Sequence, residues 1–349
     1  MTTVEVRPVT GIGEVRPGDD VAALITAAAP WLCDGDIVVV TSKIVSKAEG
    51  RLADVPTDGP AREDARERIL TAETARPVAR RGHTRIVQTH HGFVMASAGI
   101  DTSNVDRSQL VLLPKDPDSS ARSIRAVLQA RLSVEVAVIV SDTMGRPWRL
   151  GLVDVALGIA GLEGVRDYRG QVDTYGNELH ITQMAVADEL ASAAELVKNK
   201  FDQVPVVVIR GFPGVSTTDG PGGATLVRPA DQDLFSLGTA EARALGLRDA
   251  AGLDDAVELS TQPVDPAAVA RALAAVPGPF IQIGPTDVAG LAGSPGETFT
   301  LGAAVQRLRA ALAAEGLASI WREADDLVID GQPAFGVLTI GRPLVQPLA

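Results

Sequence analysis

A carboxylate and a hydroxyl stand side by side where an apolar segment of the sequence becomes polar. Residues 138–149 read VIVSDTMGRPWR, which predicts a strand that runs directly into a turn. Asp142 and Thr143 would then lie at a sheet edge, where both oxygens can face one cation. Mg²⁺ and Mn²⁺ prefer oxygen ligands and commonly bridge to substrate phosphates. An ordinary turn capped by Asp142 explains the local sequence equally well.

Two arginines follow in the same turn. Arg146 and Arg149 are close enough in sequence to contact the oxygens of one phosphate or carboxylate group. They are therefore candidate catalytic residues that would position an anionic substrate. Solvated arginines in a surface turn are the structural alternative.

A second acidic segment lies in residues 98–105, AGIDTSNV, after a predicted strand. Asp101 and Asn104 are three residues apart in a polar loop, so both side chains can belong to one ligand set. The pattern is also typical of an Asx turn with no further role.

The N-terminal segment GIGEVRPGDD looks at first like a glycine-rich nucleotide loop. Arg16 stands where the dinucleotide-binding fingerprint needs its third glycine, and no Gly-Lys-Ser/Thr occurs in the chain. What remains is a flexible backbone that can approach a flat ligand closely. Residues 41–47, TSKIVSK, follow a predicted strand and carry donors suited to phosphate, in Ser42, Lys43, Ser46 and Lys47. Solvated lysines at a strand end are the alternative.

The other chemically interesting residues give weaker signals. The loop 211–223, GFPGVSTTDGPGG, can fold over a ligand or serve as a connection. The histidines lack the spacing of a zinc site. Cys33 is predicted to be a buried packing residue at the end of an apolar helix.

The elements that must position these residues alternate irregularly, which predicts an α/β fold of the mixed α+β kind. Strands are predicted at 36–41, 84–89, 93–96, 110–113, 135–140, 180–183 and 204–209. Helices are predicted at 21–32, 60–81, 119–132, 153–161 and 185–200. A first domain is expected at 1–238, and a second at 239–349 with helices at 239–247, 266–275 and 299–316.

Composition and charge narrow the class of protein. The 349 residues are 46% hydrophobic and can bury a sizeable core. A net charge of −12 argues against broad surfaces for nucleic acids or anionic membranes. A single cysteine, no signal-peptide pattern and no apolar run of about 20 residues favour a cytoplasmic protein.

The order of the segments resembles the coenzyme F420:L-glutamate ligase family over residues 4–238. The similar segments are GIGEVRPGDD, DGDIVVVTSKIVSKAEGR, AGIDTSNV, SDTMGRPWRLG, YGNEL and VADELASAAELVK. The resemblance implies contacts with GTP by Ile12, Gly13, Glu14, Val15, Ser42, Lys47 and Asn104. It also implies divalent metal ligation by Asp101, Asp142 and Thr143.

The reaction implied by the resemblance is amide formation between L-glutamate and a deazaflavin precursor of coenzyme F420. GTP would be the co-substrate, with two Mg²⁺ or Mn²⁺ ions and K⁺ as a further candidate. A homodimer is also implied. A closing nucleotide loop, with a further metal ligand, would fall within residues 211–218.

The tail contains fragments similar to a flavin-binding nitroreductase-like domain, but that domain needs many more residues than 239–349 provide. A truncated remnant that does not bind FMN is therefore expected. Two alternatives remain open at this point: a flavin-dependent reductase acting in the same coenzyme pathway, and a non-catalytic nucleotide-binding scaffold.

Overall fold

The chain divides into two compact units, Met1–Leu234 and Phe235–Ala349. The computed structural model describes residues 3–103, 105–198, 202–229, 232–233, 235–239, 242, 259–260, 263–278, 280–291, 295–324, 327–329 and 332–343. The mixed α+β class expected from the sequence is confirmed in these residues, where helices and several sheets alternate irregularly.

The first unit contains five helices and twelve strands among its described residues. In chain order they are β1 (Glu5–Val9), α1 (Val21–Ala28), β2 (Ile37–Thr41), α2 (Ser42–Ala48), β3 (Leu52–Asp54), α3 (Gly59–Ala72), β4 (Thr74–Arg81), β5 (Thr84–Thr89), β6 (Val94–Ala96), β7 (Gln109–Val111), α4 (Pro117–Leu132), β8 (Ala137–Gly145), β9 (Leu152–Ala160), β10 (Arg166–Asp167), β11 (Gln183–Met184), α5 (Val186–Lys198) and β12 (Val206–Arg210).

A five-stranded sheet in the order β1-β12-β2-β8-β9 forms the centre of this unit. β2 and β8 are parallel, and the other neighbours are antiparallel. Val38 and Val40 face a core shared with α1, α2 and α4, whereas Ile37 and Val39 face a core shared with α5. Because both faces are covered, β2 is a continuous apolar run without polar alternation.

Smaller sheets surround this centre. β3 pairs with β7, β10 pairs with β11, and β4, β5 and β6 form a three-stranded sheet in that order. The β3–β7 pair matters for the site, since Asp101 forms a bridge with Val111 beside it.

The first helix begins as predicted and ends early. The Asp20 carboxylate accepts a hydrogen bond from the backbone N–H of Ala23 and caps α1. The helix ends at Ala28, two residues before Pro30, because a proline disfavours helical geometry in the residue that precedes it. Cys33 therefore lies beyond the helix and is exposed, so its predicted burial was wrong.

Two predicted helices were wrong in whole or in part. The helix predicted at 60–81 ends at Ala72, and its second half is β4, which pairs with β5. Pro77 cannot supply the N–H that a helix interior needs. The helix predicted at 153–161 is β9, which forms a hairpin with β8 and has α4 and α5 packed against it.

The second unit has its own sheet and its own core. Its described elements are β13 (Leu259–Ser260), α6 (Pro266–Ala275), β14 (Phe280–Gln282), β15 (Asp287–Leu291), α7 (Pro295–Ala314), β16 (Ala318–Glu323), β17 (Val328–Ile329) and β18 (Gln332–Pro343). β18 pairs with β13, β15, β16 and β17. Only residues 239 and 242 of the predicted helix 239–247 lie within the described ranges. In the part of the chain that the structure describes, no helix is both long and apolar enough to cross a bilayer.

Candidate functional site

Three strands of the central sheet end at the same edge. β1 and β2 run in the same direction on either side of antiparallel β12, and β8 is parallel to β2. The register places Val9, Val40 and Val140 in one row across the sheet. The segments that follow β1 and β2, residues 10–15 and 42–47, therefore emerge beside residues 141–143 in the last part of β8.

Asp142 is the most perturbed carboxylate at this edge. Burial raises its pKa to about 6, and the nearby negative charges of Asp154 and Asp101 act in the same direction. Hydrogen bonds from the Thr143 backbone N–H and from the Ser42 side chain oppose that shift. Asp101 and Asp142, which are distant in sequence, are thus close enough to interact electrostatically.

Asp101 forms an ion pair with Lys43. Its Oδ2 lies 2.8 Å from Lys43 Nζ, and its Oδ1 accepts a hydrogen bond from the Ser103 backbone N–H. Burial raises the pKa of this carboxyl, but the bonds from Lys43 and Ser103 outweigh burial and leave the pKa below its usual value. Asn104, the predicted partner of Asp101, lies outside the described residues.

Beneath Thr143 lies a buried polar network that the sequence analysis missed. Asp154 on β9 accepts hydrogen bonds from Thr143 Oγ1 at 2.8 Å and from Ser141 Oγ at 3.0 Å. Lys198, the last residue of α5, donates to Asp154 Oδ2 at 2.7 Å and to Ser141 Oγ at 2.8 Å. The side chains of Asp154 and Lys198 are only 3% and 6% exposed.

The glycine-rich segment is anchored by its apolar residues and leaves its polar ones outside. Val15 is buried in the core beside α1 and α2, and Ile12 packs against that core. Gly13 and Glu14 are exposed. The Glu14 carboxylate lies 2.6 Å from Nζ of the buried Lys47, so the segment is tied directly to α2. The described residues that were predicted to contact GTP lie along this edge, and Asn104 lies outside the described residues.

Arg146 and Arg149 lie in the loop between β8 and β9, beyond Asp142. The Arg146 guanidinium donates a hydrogen bond to the Leu150 carbonyl at 2.6 Å and so closes the loop on itself. Arg149 is exposed. In this arrangement Arg146 stabilises the hairpin turn, and the substrate-positioning role of both residues stays a prediction.

The loop 211–223 does not join this cluster. Because β12 is antiparallel to β2, Ile209 pairs with Ile37, and the loop emerges at the opposite edge of the sheet. There Arg125 fixes it with an ion pair of 2.7 Å to Asp219. Within one chain this loop is therefore anchored at the end of the sheet opposite the aspartates.

The donors at the edge fit a hard divalent cation that is shared with a phosphate ligand. Among the described residues, no group of three or more His, Cys, Asp or Glu side chains could hold a metal ion alone. Two carboxylates and a hydroxyl, from Asp101, Asp142 and Thr143, match the sparse protein ligation of Mg²⁺, which takes its remaining ligands from water and substrate phosphates. A metal ion at Asp101 would have to share Oδ2 with the Lys43 ammonium or displace it.

Comparison with known proteins identifies the family. The sequence profile of F420-0:Gamma-glutamyl ligase matches residues 11–211, more than half of the chain. The chain belongs to the F420-0:Gamma-glutamyl ligase family. The resemblance found in the sequence is thereby confirmed over residues 11–211.

Relatives with this activity in their names align with about two thirds of the chain and with almost all of their own length. The coenzyme F420:L-glutamate ligase of Methanothermobacter thermautotrophicus is 46% identical over 245 residues, which are 65% of this chain and 96% of the relative. The ligase of the same name from Methanopyrus kandleri is 39% identical over 249 residues, 67% of this chain and 98% of the relative. That from Halobacterium salinarum is 42% identical over 242 residues, 64% and 92% respectively.

Proposed function

We propose that this chain joins L-glutamate to the deazaflavin precursor of coenzyme F420 through an amide bond, with GTP converted to GDP. Support comes from membership of the F420-0:Gamma-glutamyl ligase family and from relatives named coenzyme F420:L-glutamate ligase. The observation that carries the proposal is that Asp101 lies near enough to Asp142 to act on its charge, at the end of the sheet where the 10–15 segment and Lys47 also lie. Carboxylates for a cation and an ammonium for a phosphate then lie along one sheet edge.

The proposed reaction has two steps. A carboxylate oxygen of the precursor attacks the γ-phosphorus of GTP, the bond from that phosphorus to the bridging oxygen breaks, and GDP leaves. The glutamate amine then attacks the carbonyl carbon of the acyl phosphate, loses a proton and expels inorganic phosphate. The products are the amide, GDP and phosphate.

Different residues at this edge would bind the nucleotide, the metal ions and the acceptor in the first step. Lys47 carries a fixed positive charge that meets the phosphates, and the exposed backbone at Gly13 lets the nucleotide approach closely. Asp101, Asp142 and Thr143 would hold one or two Mg²⁺ or Mn²⁺ ions. Such ions, when bound, stabilise the charge that develops on the phosphoryl oxygens. Arg146 and Arg149 would orient the anionic acceptor.

The test is a reconstituted reaction with the purified chain, GTP, Mn²⁺, L-glutamate and the deazaflavin precursor. One GDP and a product heavier by one glutamyl unit are expected for each turnover, and Asp101→Asn removes both. Asp106→Asn is the matched control, since Asp106 lies in the same polar loop and its side chain bonds only to Ser108 among the described contacts. No mass increase with either metal would refute the proposal.

A further inference from the structure

The predicted metal ligand Thr143 has its hydroxyl hydrogen committed to another side chain. Thr143 Oγ1 donates to Asp154 Oδ1 at 2.8 Å. A hydroxyl has one hydrogen and two lone pairs, so an oxygen whose hydrogen is used in this way can present only a lone pair to a cation. Asp154 therefore sets the direction in which Thr143 can act as a ligand.

Asp154 is in turn held by an ion pair with Lys198. Its Oδ2 accepts hydrogen bonds from both Lys198 Nζ and Ser141 Oγ, while Lys198 also donates to Ser141. Each polar group of this network has a partner, so the carboxylate cannot rotate without breaking several bonds. The network joins β8, β9 and the end of α5 directly below the predicted ligand.

A buried ion pair of this kind is poor evidence for stability. Removing two charges from water costs about as much as their attraction returns, and an apolar pair of the same size often serves stability as well or better. Residues that hydrogen-bond to metal ligands, by contrast, fix the orientation of those ligands. The cost of burying Asp154 and Lys198 is thus better explained by positioning than by folding.

We propose that Asp154 and Lys198 are positioning residues that orient the Thr143 hydroxyl toward the bound divalent cation. The inference rests on the proposed function, because it assumes the metal site at Asp101, Asp142 and Thr143. It goes beyond that function by assigning a role to two residues that contact neither metal nor substrate.

The test compares the charge-neutral variant Asp154→Leu/Lys198→Met with the unaltered chain. Binding of Mn²⁺ alone, without nucleotide, is followed by the loss of the free-ion signal in electron paramagnetic resonance. The dissociation constant for Mn²⁺ is expected to rise roughly tenfold to hundredfold. The midpoint of thermal unfolding is expected to stay the same or to increase.

A matched control is available at the opposite edge of the sheet. Asp36 is fully buried and lies 2.6 Å from Arg210, so Asp36→Leu/Arg210→Met removes a comparable ion pair far from the predicted ligands. The control is expected to leave Mn²⁺ binding unchanged. If it weakened Mn²⁺ binding to the same extent, the effect of the first variant would be a general result of disturbing the fold, and the positioning role would be wrong.

A mutant cycle tests whether Asp154 acts through Thr143. In a Thr143→Val background, the Asp154→Leu/Lys198→Met change is expected to weaken Mn²⁺ binding little further, whereas independent effects would multiply and would contradict the inference. Thr143→Ser keeps the hydroxyl and is expected to retain binding. If the double variant does not fold, Lys198→Gln replaces it, with a rise in the dissociation constant as the expected result.

The outcomes separate this inference from the proposed function. If the unaltered chain binds Mn²⁺ through Asp142 and the double variant binds it equally well, only the positioning role is wrong. Unaltered chain that binds no Mn²⁺ would overturn the metal site, and the positioning role with it.

Discussion

At the scale of single residues, the Asp142 carboxylate is expected to lower the free energy of unfolding when no cation is bound to it. Burial raises the pKa of its carboxyl to about 6, so the ionised form is less stable in the folded chain than in the unfolded chain. A bound cation would reverse that balance, because it stabilises the ionised carboxylate. Function and stability are therefore expected to oppose each other at this position.

Asp142→Asn is expected to raise the midpoint of thermal unfolding in excess EDTA. A raised carboxyl pKa destabilises the fold wherever the unfolded residue is ionised. The penalty is therefore absent below about pH 4, grows as the pH rises to about 6, and is complete above it. The gain in midpoint should be larger at pH 8 than at pH 4. Scanning fluorimetry at both values, repeated with Mn²⁺, checks this.

Addition of Mn²⁺ at pH 8 should raise the midpoint of the unaltered chain and leave that of Asp142→Asn unchanged. A variant that is less stable than the unaltered chain in EDTA would contradict this account of Asp142.

Lys47→Met is expected to raise the KM for GTP about tenfold or more, because a hydrogen bond to a charged group contributes about 1.5–3 kcal/mol. The methionine keeps most of the apolar stem of this buried α2 residue. Lys115→Met, which removes an exposed lysine, is the control and should leave the KM unchanged. Equal KM values for both variants would mean that Lys47 does not contact the phosphates of GTP.

At the scale of elements, α4 and β9 are in unusually close contact. A Cβ on Gly158 would lie 2.1 Å from the carbonyl oxygen of Pro117. The Asp118 carboxylate accepts hydrogen bonds from the backbone N–H groups of Ile159 and Gly223. This contact fixes the strand that carries Asp154 at the site.

Gly158→Ala is expected to destabilise the chain by about 1–3 kcal/mol or more, since a methyl group cannot enter that space without moving α4. The midpoint of thermal unfolding should fall by roughly 2–4 °C for each kcal/mol. Gly145→Ala in the same hairpin is the control, because its Cβ would meet only Leu152 at 4.0 Å. A Gly158→Ala variant as stable as the unaltered chain would show that α4 can move away from β9 at little cost in free energy.

The same hairpin shows where sequence reasoning succeeded and where it failed. The strand leading to Asp142 was predictable from its apolar run. The turn was placed too early, because β8 continues through Asp142 and Thr143 to Gly145 and the loop follows only there. The change of β9 from predicted helix to strand could not be read locally, because VDVALGIA is apolar apart from Asp154 and fits either element. Asp154 lies within that misread segment, and Lys198 at the end of a helix looks like a solvated charge. Their contact exists only once β8, β9 and α5 pack together.

At the scale of the whole molecule, the predicted ligands lie in one unit. All the described site residues fall within Met1–Leu234, and the family profile ends at residue 211. A fragment of residues 1–234 is therefore expected to keep GTP- and Mn²⁺-dependent glutamyl transfer within about twofold of the full chain. Assay of both proteins side by side checks this, with light scattering to test the predicted homodimer. An inactive but folded fragment would give the second unit a direct role.

The second unit is expected to bind no FMN, since only fragments of its sequence are similar to a nitroreductase-like domain. Titration of the full chain with FMN, followed by the flavin absorbance that is retained after desalting, tests this. Stoichiometric retention would favour the flavin-dependent reductase as a second activity of the chain.

The central claim is that two aspartates from different parts of the chain share a divalent cation beside the nucleotide. Anomalous scattering from crystals grown with GDP and Mn²⁺ tests it most directly. The account predicts an Mn²⁺ peak within bonding distance of Asp101, Asp142 and Thr143, with phosphate oxygens completing its coordination. A fully occupied nucleotide with Mn²⁺ bound elsewhere, and with no cation between the two carboxylates, would contradict it.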